Sequence, residues 1–174
     1  MTTKKIAYAA VAAALATVII ILCAYLPAKF TPLVFATAAY YIAFEKCGAW
    51  GFLSVAVSLT LAFFLGGGFQ SSFIFTAVLF APYACLTYIL RNIRYEGRKN
   101  FIIRAVCVVA LFACSAVAIV LLAEFIVGAS VDIIIEKIGW WAIIALFALF
   151  SLPTDFFFTY AMDKLTVALG KKDK

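Results

Sequence analysis

Histidine is missing from the chain altogether, and charged residues make up only 13% of its 174 positions. Without histidine there is no Ser–His or Cys–His couple for nucleophilic catalysis, and zinc and haem sites lose a usual ligand. The five cysteines, Cys23, Cys47, Cys85, Cys107 and Cys114, form no CxxC pair and lie within or beside apolar runs, where cysteine packs as a small hydrophobe. No metal site, cofactor or enzyme activity is expected. The scarcity of charge also excludes a soluble domain. Such a domain holds about 25% charged and 45–50% apolar residues, whereas this chain is 68% apolar with a mean hydropathy of +1.16. The formal charge of +6 raises nucleic acid as a partner. The basic residues, however, stand at the ends of apolar runs and form no contiguous face for phosphates, so no nucleic-acid partner is expected.

What the chain does have is long apolar runs. A bilayer-spanning helix needs roughly 20 predominantly apolar residues. Six candidate segments cover residues 6–26, 32–44, 47–65, 72–90, 101–127 and 139–169. The fold class expected is a single all-α integral membrane domain of six transmembrane helices, with the lipid bilayer as its first partner. The start, Lys4-Lys5 followed by residues 6–26, mimics a signal peptide. Its apolar stretch is longer than the usual 7–15-residue core, and no small-x-small cleavage site follows, so it reads as a retained first helix. The second segment is short. A dozen or so residues reach only about 18 Å, against a hydrocarbon core of roughly 30 Å.

Charge decides whether that short segment crosses. Arg91, Arg94, Arg98, Lys99 and Arg104 crowd one polar interruption, and cytoplasmic loops collect such residues. With six crossings and both termini cytoplasmic, twelve basic residues lie inside and only Lys29 and Lys137 outside. Dropping one crossing would turn the Arg91–Arg104 cluster outward. The outward face is then three loops, residues 27–32, residues 66–71 and residues 128–137. The glycines Gly66-Gly67-Gly68 therefore face away from cytosolic ATP, and no phosphate-cradling loop is present.

Three groups of residues stand out. The first helix carries Ala9/Ala13 and Ala12/Ala16, each pair four apart, a smooth ridge that lets another helix approach closely in lipid. The ridge either packs against the chain's own helices or docks another membrane subunit. Asp155 lies about fifteen residues into the last segment, two after Pro153, and an acid at that depth faces protein or water. Its options are a bond to groups freed by Pro153, a pair with a basic residue, a protonated state, a proton or ion relay, or a subunit-coupling contact. The outward side holds Lys29, Phe30, Phe69, Gln70, Ser71, Phe73, Glu124, Asp132, Trp140 and Trp141. An apolar cavity with a few placed polar groups is what a small-molecule site requires, and this is the expected substrate-binding set.

The start Lys4-Lys5-Ile6-Ala7 leading into the alanine ridge, the six-segment layout, and the closing pattern Leu152-Pro153-Thr154-Asp155 with Asp163-Lys164-Leu165 together resemble a known membrane family. The chain is similar to the substrate-binding S component of energy-coupling factor (ECF) transporters, which take up vitamins and related micronutrients. The resemblance implies a multi-pass protein of a prokaryotic cell membrane, without its own ATPase. It implies a vitamin-like ligand held under the outward loops, and Ala9, Ala12, Ala13 and Ala16 docking a transmembrane coupling subunit served by two cytosolic ATPases. No substrate-specific signature is recognised. Two other readings stay open, a structural scaffold of the MreD type and a stand-alone proton-coupled carrier built on Asp155.

Overall fold

The computed structural model describes residues 3–26, 30–93, 95, 97–127 and 139–170. Among these, regular structure is entirely helical: α1 Thr3–Tyr25, α2 Phe30–Cys47, α3 Gly51–Leu65, α4 Ser71–Phe75, α5 Ala81–Ile89, α6 Arg98–Val127 and α7 Trp140–Gly170. Short 3₁₀ turns follow α2 (Gly48–Trp50) and α5 (Leu90–Asn92), and a π-helical turn, Thr76–Phe80, joins α4 to α5. Five continuous stretches are long and apolar enough to cross a membrane: Thr3–Tyr25, Leu33–Leu65, Ser71–Asn92, Arg98–Ile126 and Trp140–Lys164. The protein is thus an all-helical chain suited to a bilayer.

The second of these stretches is folded back on itself. Gly48 sits at φ +66°, a backbone conformation that favours glycine, and the chain reverses there. Tyr40 Oη and Ser58 Oγ, 18 residues apart, meet at 2.7 Å, whereas a straight helix would hold them about 27 Å apart. Close approach at the turn also requires Gly51, where a Cβ would run into the Phe44 ring. The short second segment expected over 32–44 is therefore longer in fact, Phe30–Cys47. It gains residues from both flanking loops and forms one arm of a hairpin with α3.

Cross-bonds set the helix directions. Cys47 Sγ donates to the Lys5 carbonyl at 3.1 Å, Ser54 Oγ to Ala9 O at 2.9 Å, and Thr17 Oγ1 to Ser58 O at 3.3 Å, so α1 and α3 run parallel with α2 reversed beside them. Small residues make this possible. Ala12, Ala13 and Ala16 on α1, and Ala36, Ala39 and Ala43 on α2, are all buried, and packing of this kind replaces hydrophobic drive inside lipid. A second core joins α5, α6 and α7 through Tyr83, Val108, Phe112, Phe158 and Met162.

The fourth segment, expected as one helix over 72–90, is interrupted. Pro82 has no N–H to reach back to Val78, and the helix loosens into the π turn just before it. Ser115 Oγ of α6 donates to the Val78 carbonyl instead, at 2.9 Å. The last two helices match the expected segments to within three residues at each end.

Candidate functional site

Asp155 is fully buried, and it is paired. The Arg104 guanidinium meets it side-on: Nε donates to Oδ2 at 2.7 Å and Nη2 to Oδ1 at 3.0 Å. Tyr83 Oη of α5 donates to Oδ1 at 2.8 Å, and Tyr95 Oη, from the connection before α6, donates to Oδ2. Arg104 also holds Thr159 Oγ1 at 2.8 Å and the Ile93 carbonyl at 3.2 Å, and lies 5.1 Å from the Tyr95 ring centroid. The carboxylate thus receives four hydrogen bonds, and the arginine donates four. Burying either charge alone in a bilayer is expensive, and a bidentate arginine with satisfied neighbours offsets that cost. Burial first, and the bond to Asp155 second, raise the pKa of the Tyr95 phenol, so it remains a protonated donor at neutral pH.

This pair corrects the expectation for Arg104. Grouped by sequence with the basic residues of the polar interruption, although it falls within the expected 101–127 segment, it is 3% exposed inside α6, which starts at Arg98. The other described basic residues of the cluster, Arg91 in the 3₁₀ turn and Arg98 and Lys99 at the start of α6, are exposed; Arg94 lies outside the described residues. Of the options open to Asp155, a pair with a basic residue is the one the fold adopts. Apolar neighbours on both sides, Phe101-Ile102-Ile103 and Ala105-Val106, were the available signal for Arg104. Tyr83, Tyr95 and Thr159 carried none, because hydroxyl residues are common in such helices.

Beside the pair, α2, the π turn, α5, α6 and α7 line a half-open recess of about 350 Å³, formed by Val34, Thr37, Leu79, Phe80, Tyr83, Phe112, Thr154 and Phe158. The surfaces facing it are mostly apolar. Toward the basic end lies a smaller recess of about 60 Å³ among Tyr41, Glu45, Thr87, Arg91, Arg104, Thr159 and Asp163. Phe158 lines both spaces, and its ring is held edge-on by Tyr41 at 6.1 Å and Tyr83 at 5.5 Å.

The outward set expected for substrate is not gathered in one place. Phe69 meets the Phe63 ring edge-on at 4.9 Å and Phe73 lies tilted against it at 5.5 Å, beside the glycine turn. The Gln70 amide is committed to the Gly66 carbonyl, and Ser71 is exposed. Glu124 sits at the end of α6 with Leu121, Leu122 and Phe125, around a wide open recess of about 670 Å³. Trp140 is half-buried and Trp141 84% exposed. Among the described residues, no hydrogen bond or ring contact joins the Phe69 group to Glu124 or to the tryptophans. Lys29 and Asp132 lie outside the described residues, as does the side chain of Phe30.

The alanine ridge divides. Ala12 (6% exposed) and Ala16 (0%) are covered by the chain's own helices, which is the packing role, because α2 and α3 occupy that side of α1. Ala13 is buried as well (3% exposed), while half-buried Ala9 and exposed Ala10 join Ile6, Trp50, Leu53, Ser54 and Val57 around an open apolar groove of about 340 Å³ between α1 and α3, which Ala13 also lines. No protein-family model, curated protein or solved structure matches the chain.

Proposed function

We propose that the chain is the membrane-embedded substrate-binding subunit of an ECF-type micronutrient transporter in a prokaryotic cell membrane. It crosses the bilayer six times with both ends cytoplasmic. The α2–α3 hairpin supports the sixth crossing, since its two arms pass through the bundle in opposite directions. Orientation follows from the basic residues: Lys5 is tied to Cys47, and Arg91 lies over Tyr88, which stacks on Phe44 at 4.7 Å. These basic groups share one end of the bundle, the end the positive-inside rule keeps in the cytoplasm.

The observation that carries the reading is the 350 Å³ cavity. Small-molecule sites are concave, span about 300–1,000 Å³ and are mostly apolar; this half-open recess has that size and that lining, with four aromatic rings in it. A carrier driven through Asp155 is disfavoured, because both carboxylate oxygens are already occupied by Arg104 and two phenols. Ligand enters from the outward end, past Phe69, Gln70, Ser71 and Phe73 on one side and Glu124 with Trp140 on the other. The α1–α3 groove seats a helix of the coupling subunit, and two cytosolic ATPases supply the energy.

The experiment is purification from native membranes, followed by mass spectrometry of small molecules released on denaturation. One stoichiometric, non-lipid compound is expected, together with a co-purifying membrane subunit and ATPases. Ala10→Leu should abolish the complex while leaving the isolated protein folded. No released compound and no partner in the native preparation would remove the transporter reading.

A further inference from the structure

Resting on the reading that the 350 Å³ cavity is the ligand site, we propose that it selects an uncharged, ring-bearing molecule that donates hydrogen bonds. Four aromatic side chains line it, Phe80, Tyr83, Phe112 and Phe158, and Tyr83 and Phe112 meet edge-on at 5.7 Å. Rings so arranged offer faces and edges to a flat partner. None of the described lining residues is charged. The nearest charges, Arg104 and Asp155, neutralise one another, and the carboxylate is closed off by the two phenols. A charged ligand would enter a space with no counter-ion, and desolvation opposes it.

The hydroxyls around the cavity decide the polarity of recognition. Each has one proton, and each has already committed it. Thr37 Oγ1 donates to Leu33 O at 3.4 Å, Thr154 Oγ1 to Phe150 O at 2.7 Å, and Tyr83 Oη to Asp155 at 2.8 Å. A hydroxyl whose proton is used still has oxygen lone pairs to accept with. The lining therefore presents acceptors without donors, and a matching ligand brings N–H or O–H groups.

Three probes separate the possibilities in lipid nanodiscs, by equilibrium dialysis against empty discs: indole, 1-methylindole and phenyltrimethylammonium. Indole is expected to bind in excess of the empty discs. 1-Methylindole should bind about fivefold more weakly, as the loss of one neutral hydrogen bond gives, and phenyltrimethylammonium should not bind above background. Thr37→Val or Thr154→Val should bring the indole to 1-methylindole ratio to unity. Filling the cavity with Val34→Trp should abolish indole binding, and Thr154→Phe serves the same purpose should that variant not fold. Equal binding of indole and 1-methylindole by the unmodified protein overturns the inference, since the cavity is then only a greasy hole. Phenyltrimethylammonium binding as well as indole overturns it in favour of a cation–π cage. Indole binding that survives both filled variants shows the site to be elsewhere. These failures leave the transporter reading standing if a small molecule and coupling subunit still co-purify with the native protein.

Discussion

The two halves of the bundle meet the same problem with different materials. In lipid, apolar side chains gain nothing by leaving their surroundings, so helices must be joined by close packing or by polar bonds. The α1–α3 half uses closeness: alanines on α1 and α2, a glycine against the Phe44 ring, and single hydroxyls and a thiol bonded across to backbone carbonyls. The α5–α7 half uses charge, one arginine and one aspartate with two phenols and a threonine. The first solution still leaves an open apolar groove of about 340 Å³ between α1 and α3. The second ties three helices at one level and leaves a cavity beside the tie.

This contrast predicts how each half fails. Removing one charge should hurt most. Arg104→Ala or Asp155→Ala leaves its partner buried and unpaired, a loss of about 3–5 kcal/mol, read as a collapse of thermal stability in detergent. The double variant Arg104→Met with Asp155→Leu should recover most of that loss. If each single variant melts within a few degrees of the unmodified protein, the tie is not what joins α5–α7.

Overfilling the close-packed half comes next. Ala16 is 0% exposed, and Ala16→Leu should cost about 1–3 kcal/mol by forcing α1 away from its neighbours. The same substitution at exposed Ala10 should leave stability within about 0.5 kcal/mol. Similar melting temperatures for the two variants would contradict the division of the ridge into an inner and an outer face.

Ser115→Ala tests a smaller device, the hydroxyl that replaces the N–H missing at Pro82. About 1 kcal/mol should be lost as the Val78 carbonyl goes unpaired, seen as a small drop in melting temperature. A neutral result would mean that the π turn satisfies that carbonyl by itself. Tyr95→Phe should have an effect of similar size, since Asp155 retains Arg104 and Tyr83. Its more specific consequence is faster proteolysis of the connection before α6, which that phenol ties to α7.

Much of this was readable from residue order. The apolar runs marked nearly every helix, since a segment that is apolar on all sides has no other stable place than a membrane or a large core. The break at Gly66–Gly68 and the stop after α1 follow from glycine and proline. The division of the alanine ridge was not readable, because residues four apart share a face and nothing in that spacing says which neighbour covers it. The cavity was hidden for a related reason. Its lining comes from five separate helical elements, and each contributes residues that look like ordinary core.

The sequence by itself determined that the chain has no histidine and that its runs are long and apolar enough for membrane-crossing helices. Those properties are sums over residues, insensitive to how helices are arranged. Only the tertiary structure decided how the two arms of the second apolar stretch pack against each other, that Arg104 pairs with Asp155 rather than standing with the other basic residues, and that a half-open recess remains beside them. Each of those depends on which side chains meet across distances of 18 to 51 residues. Position along the chain records neighbours in order, and the partner of a buried charge is a neighbour in space.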